Sequence, residues 1–193
     1  MDQQVVIILN HWAVSQPAAA FLTVLVAEHG IFLLPLALGL LWFRPGRGAP
    51  ARRIAVLACA ISFAFGLLII LGLDHAVYRP RPFVELSFAP LFAHAAETSF
   101  PSDHTLIGVS LVGPLLWRQW RFGIWLVLWA LVVGFARVAA GVHYPTDIIG
   151  SAALAAVPAA IGLLFSQFSY AQLYVVHRVI NREMFNGAMF RRH

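Results

Sequence analysis

The chain of 193 residues is 61% hydrophobic and 11% charged, with a formal net charge of +5. A soluble domain carries about a quarter charged residues, so this balance excludes an ordinary water-soluble globule and predicts a membrane protein. All thirteen positive charges are arginine, and with no soluble domain to carry a basic patch they are assigned to bilayer orientation, which leaves nucleic acid out as a partner.

The first segment, "MDQQVVIILNHW", has neither a basic start nor a small-residue cleavage site. It reads as an interfacial segment ending near Pro17, not as a removable signal. Five apolar runs follow, at residues 21–43, 54–73, 102–117, 122–140 and 148–165. Crossing about 30 Å of hydrocarbon takes roughly 20 helical residues, so the runs predict an all-α, polytopic bundle of about five spanning helices. The third is short, which puts its polar start at Ser102 close to a membrane face. Cys59 lies inside the second run and, being the only cysteine, forms no internal disulfide. The whole chain, 1–193, reads as one domain with a motif-bearing core at 54–165. Its tail, 166–193, is expected to be cytoplasmic, with residues 170–193 as an amphipathic helix along the interface.

Five spans put the 44–53 loop, the 118–121 link and the tail on one side. That side holds Arg44, Arg47, Arg52, Arg53, Arg118, Arg121, Arg178, Arg182, Arg191 and Arg192. By the positive-inside rule it is cytoplasmic. The other three arginines, Arg79, Arg81 and Arg137, face or approach the outer side and need a different explanation.

Four segments meet on that outer side. In "RPRPF", residues 79–83, each proline pushes the preceding arginine into an extended conformation, displaying two guanidinium forks that suit phosphate oxygens. Taken alone, the segment equally describes a Pro-rich loop with solvated charges. In "PSDH", residues 101–104, Ser102 is placed to N-cap the third helix, leaving the amides of Asp103 and His104 open to an anion. An ordinary capped helix with an incidental His104 gives the same pattern. Arg137 is an ionisable residue in an apolar span, which needs a polar cavity or a partner such as Glu28 or Asp103.

In "GVHYPTD", residues 141–147, Gly141 ends one helix and Pro145 opens the next, so His143 falls on a tight turn with Asp147 in reach of its ring. A carboxylate on one ring nitrogen fixes the tautomer and leaves the other as a nucleophile. Glu28, about two turns in from the outer end of the first helix, is expected to pair with an arginine or to orient His29.

Together these residues resemble the type 2 phosphatidic acid phosphatase superfamily. Its pattern is Lys, six residues, Arg-Pro; Pro-Ser-Gly-His; then Ser-Arg, five residues, His, three residues, Asp. Here the matches are Arg81-Pro82, "PSDH" at 101–104, and Ala136-Arg137 with His143 and Asp147 at the family spacing. The resemblance covers the second to fifth runs and their outer loops. "RPRPF", "HAAETSFPSDHT" and "VAEHG" are similar to the bacterial undecaprenyl-diphosphatase branch. Three positions depart: Asp74 for the Lys, Asp103 for the Gly and Ala136 for the Ser. Arg79 is expected to supply the cation missing at 74, and Asp103 to point away from phosphate and orient His104 or Arg137.

The resemblance implies a lipid phosphatase working through a phosphohistidine, without metal or other cofactor. His143 would attack the terminal phosphorus, Asp147 would orient it, and His104 would protonate the leaving oxygen and then activate water. Arg79, Arg81, Arg137, Ser102 and the helix-start amides would hold the oxygens. A site at the membrane boundary suits a lipid diphosphate, and the resemblance implies undecaprenyl diphosphate, cleaved at the outer face of a bacterial inner membrane during recycling of the cell-wall lipid carrier. Other lipid phosphates, such as phosphatidate, phosphatidylglycerophosphate or a shorter prenyl diphosphate, remain alternatives. So does a protein that binds or transports a polyprenyl diphosphate without cleaving it.

Overall fold

Prolines and glycines set the helix boundaries. The computed structural model describes residues 1–73, 76–86 and 88–172, and all regular structure among them is helical. Helix α1, Asp2–Ser15, stops at Gln16, whose extended backbone (φ −129°, ψ 112°) is the conformation a following proline imposes. Pro17 then opens α2, Pro17–Phe43. Midway along α2 the regular ladder is interrupted by a π turn, Leu25–His29, and a 3-10 turn, Gly30–Phe32. The remaining elements are α3 (Ala49–Leu73), the one-turn α4 (Pro82–Glu85), α5 (Asp103–Val112), the one-turn α6 (Leu115–Arg118), α7 (Trp120–Ala139) and α8 (Pro145–Gln172).

Among the described residues four helices are long and apolar enough to cross a membrane: α2, α3, α7 and α8. The protein is a multi-pass membrane protein. The 102–117 run departs from a single regular helix: the ten-residue α5 passes through Gly113 and Pro114, both at right-handed helical angles, into the short α6, and the hydrogen-bond ladder is broken between them. Pro114 is the physical reason. It has no N–H to give the carbonyl of Ser110 four residues back, and that carbonyl instead accepts the Ser62 hydroxyl from α3 at 2.6 Å. Boundaries of the other spans move too: the first begins at Pro17, not at 21, the second at Ala49, not at 54, and the last covers Pro145–Gln172, not 148–165. Of the expected tail, 166–172 prolongs α8, and all but the first three residues of the expected amphipathic stretch, 170–193, lie outside the described residues.

Short as it is, α5 is the hub, packing on α3, α7 and α8 with Leu106, Ser110 and Val112 fully buried. Hydrophobicity cannot sort inside from outside when lipid is as apolar as leucine, so close contact between small residues does the work. A Cβ on Gly134 of α7 would stand 2.5 Å from Thr105 Oγ1 of α5 and 2.9 Å from Ile148 of α8. Large side chains point outward instead, among them Leu40, Leu68, Trp125, Phe135, Ile149 and Phe168. They form the lipid-facing shell.

Candidate active site

The site is built on the turn between α7 and α8. Gly141 takes φ +83°, and a Cβ there would fall 2.4 Å from the Phe88 ring and 3.0 Å from Asn10, so only glycine closes this turn. Pro145 occupies the start of α8. Asp147, in the first turn, accepts the backbone N–H of Tyr144 at 2.8 Å, as an acid at that position does in a capping box. His143 is thereby fixed at the tip, 1% exposed.

Its ring is held from both sides. Nδ1 lies 2.8 Å from the carbonyl oxygen of Ser99, which can only accept, so Nδ1 carries the proton and Nε2 keeps its lone pair. Nε2 is 3.3 Å from Nη1 of Arg81, which also donates to the carbonyl of Val142 at 3.0 Å. Asp147 stands differently from its expected place. Its Oδ2 is 3.8 Å from Nδ1, beyond hydrogen-bond reach, and instead accepts the Ser99 hydroxyl at 2.5 Å. Ser99 therefore bridges the pair: its hydroxyl serves the carboxylate and its carbonyl serves the imidazole. Burial, together with the Arg137 and Arg81 charges and against the opposing pull of Asp147, brings the His143 pKa down to about 4, so the ring is neutral at neutral pH.

The two arginines of "RPRPF" part company. Arg81 is buried against His143, whereas Arg79 turns toward two carboxylates, donating through Nη1 to Asp147 at 2.5 Å and through Nη2 to Asp2 at 2.7 Å. Its guanidinium also lies over the Tyr144 ring, 4.2 Å from the centroid. Expected as a phosphate clamp, Arg79 is instead paired with two carboxylates. Asp74, for which it was to compensate, lies outside the described residues.

Arg137, 4% exposed, projects from the last turn of α7. Nη1 donates to the carbonyl of Ala27, which belongs to the π turn of α2, at 3.2 Å, and Nη2 lies 2.7 Å from Nε2 of His94. An arginine has only donors, so His94 accepts there and is neutral; burial and the Arg81 and Arg137 charges depress its pKa. The Nε of Arg137 is buried without a hydrogen-bond partner among the described residues. Glu28, half-buried on the same π turn, and Asp103, exposed at the start of α5, are the negative charges acting on Arg137. His104, half-buried, lies within the electrostatic reach of Arg137, His143 and His94.

Ser102 stands at the N-cap of α5 as expected, but its side chain makes no capping bond. Its hydroxyl meets Thr105 Oγ1 at 3.2 Å and its N–H donates to Ser151 of α8 at 2.7 Å. Ala136 packs in an apolar cluster with Ala27, Ala140 and Val142. Three residues of the constellation carried no signal of their own in the sequence: Ser99, His94 and Asp2.

The stretch 55–171 matches the model of the PAP2 superfamily. The chain belongs to that superfamily. It is 36% identical over 146 residues to undecaprenyl-diphosphatase BcrC of Bacillus subtilis (strain 168), covering 76% of this chain and 72% of the relative. It is also 30% identical over 176 residues to the bacitracin transport permease protein BcrC of Bacillus licheniformis, covering 89% and 80%. Its fold is similar to the crystal structure of Aquifex aeolicus LpxE, with a TM-score of 0.62 at 22% identity over 88% of this chain and 94% of that one. In this PAP2 protein the end of the bundle that carries the motifs gathers two buried guanidinium groups and three imidazoles around one turn. Such a donor set suits a phosphate, because the oxygens find fixed donors and the phosphorus finds a neutral ring nitrogen.

Proposed function

We propose that this PAP2 protein hydrolyses the terminal phosphate of undecaprenyl diphosphate through a phosphohistidine on His143, recycling the lipid carrier for cell-wall synthesis. One observation carries the reading: the His143 ring is locked by the Ser99 carbonyl in the tautomer that leaves Nε2 as a nucleophile, 3.3 Å from a buried guanidinium. Binding or transport alone has no use for a nucleophile held in this way. The name of the Bacillus subtilis relative supports the substrate, and a site at the end of spanning helices lets the polyprenyl tail stay in the bilayer while the headgroup enters.

In the first step Nε2 attacks the terminal phosphorus and the bond to the bridging oxygen breaks. Undecaprenyl phosphate leaves with that electron pair, and His104 supplies the proton. The anionic substrate raises the proton affinity of His104 on arrival. In the second step His104 takes a proton from water, the resulting nucleophile attacks phosphorus, and the P–N bond breaks to release inorganic phosphate. Arg81 and Arg137 hold the oxygens, with the unpartnered Nε of Arg137 as a spare donor. Arg79 works on Asp147. The arginine-rich opposite end faces the cytoplasm by the positive-inside rule, so the site opens to the periplasm or cell exterior of a bacterial inner membrane.

Purified protein in liposomes, given undecaprenyl diphosphate, tests this. Phosphate release is expected, and His143→Ala should lower it by more than about 10⁴-fold while lipid binding persists. Turnover that survives His143→Ala would refute the mechanism. A parallel panel of phosphatidate, phosphatidylglycerophosphate and short prenyl diphosphates decides the tail.

A further inference from the structure

Helix α1 lies outside the matched stretch 55–171, yet its first charged residue reaches the catalytic turn. Asp2 and Asp147 share one guanidinium, that of Arg79, at 2.7 and 2.5 Å. Asp2 also accepts from Thr146, from the backbone N–H on Oδ1 at 3.2 Å and from the hydroxyl on Oδ2. Thr146 sits in the first turn of α8, where a negative charge complements the exposed amides of the helix start. Burial of Asp2 opposes its ionisation, but the bonds from Thr146 and Arg79 outweigh it and hold the carboxyl below its ordinary range. The attachment has further points. Gln3 donates to Glu85 at 2.9 Å, Tyr144 donates to the same carboxylate, and Asn10 donates to the Ala139 carbonyl at 3.3 Å.

The charges around His143 show what this linkage does. Arg81 meets the ring, Arg137 acts on it through its charge, and His94 and His104 add two imidazoles that can only become more positive. Glu28 and Asp103 act on Arg137, and Glu85 sits beyond Tyr144. When Nε2 bonds to phosphorus with Nδ1 still protonated, the ring becomes a cation among cations. Asp147, 3.8 Å away, is the compensating charge at close range. Were Arg79 bonded to Asp147 alone, the pair would be neutral; with Asp2 the set of three carries one net negative charge.

We propose that Asp2 is a positioning residue for the phosphohistidine step: by sharing Arg79 it leaves Asp147 with the negative charge that stabilises the cationic His143 ring. This rests on the phosphatase reading above and extends it to a helix outside the matched core.

The test compares wild type, Asp2→Asn, Asp2→Glu, Gln3→Ala and the double variant Asp2→Asn/Arg79→Gln, with undecaprenyl diphosphate in liposomes. Asp2→Asn should lower kcat about tenfold with KM unchanged. It should also move the acidic limb of kcat/KM about one pH unit lower, because an unshared Arg79 makes His143 harder to protonate. The substrate's own titration is common to every variant. Asp2→Glu should restore most of kcat, and Gln3→Ala should match wild type. The double variant removes both charges and should return the limb to the wild-type position or above it. An unchanged kcat in Asp2→Asn, or a loss with no movement of the limb in either variant, would overturn the proposal. A wild type that releases no phosphate would instead refute the phosphatase reading itself.

Discussion

Arginines at the two ends of this bundle are the same residue in opposite physical states. Around the 44–53 loop and the 118–121 link, Arg44, Arg47, Arg53 and Arg121 are exposed, and Arg52 folds back onto the carbonyls of Arg44 and Pro45 at 2.6 and 3.0 Å. At the site, Arg81 and Arg137 are 5% and 4% exposed and are aimed by carbonyls and imidazoles. An exposed guanidinium keeps its hydration and acts through its field, so its geometry hardly matters. A buried one has lost that hydration and repays it only against an anion or a fixed acceptor. Residue type therefore reports charge, and burial with directed partners reports use.

Substitutions can sharpen this contrast. The largest effect is expected from Arg81→Ala or Arg137→Ala, each lowering kcat/KM for lipid diphosphate about 10²–10³-fold in a phosphate-release assay, as for loss of a donor to a developing charge. His94→Ala should come next, at about tenfold, because it frees Arg137 Nη2 without removing a group that holds phosphate. Addition of free imidazole should recover part of that loss. The smallest effect is expected from Arg47→Ala, with kcat/KM within about twofold of wild type, since an exposed charge of this kind contributes little beyond its field. An Arg47→Ala enzyme as damaged as Arg137→Ala would erase the distinction between the two ends.

The sequence displays part of this directly. "GVHYPTD" is legible because Gly141 and Pro145 bracket the turn and leave His143 few places to go. Arg137 is legible because a charge in an apolar run has to be explained. "RPRPF" misleads for a geometric reason. Arg81 has polyproline-like angles (φ −71°, ψ 154°), and such a chain turns by a third of a circle per residue, so arginines two apart face different ways. Arg81 meets His143 and Arg79 meets the carboxylates.

Ser99 is hidden because half of its role belongs to a backbone carbonyl, which every residue has. His94 and Asp2 are hidden because they arrive through loop 86–101 and through α1, whose positions follow from no periodicity. The broken third run was visible in Gly113 and Pro114, but a hydrophobic count alone passes over a missing N–H. The five-run reading therefore recovers the helical class and the lipid-facing shell but not the break within the third run.

The π turn of α2 has a consequence for length as well as shape. Such a turn is an α-helix that has absorbed one additional residue, and each residue rotates the downstream part by about 100°. The surplus residue turns the Ala27 carbonyl toward Arg137 and the Gly30 carbonyl toward Trp129, the latter at 2.7 Å. Side chains in this stretch can be exchanged one for another, but trimming a single position would swing the half of the helix beyond it about its axis and misalign both anchors at once.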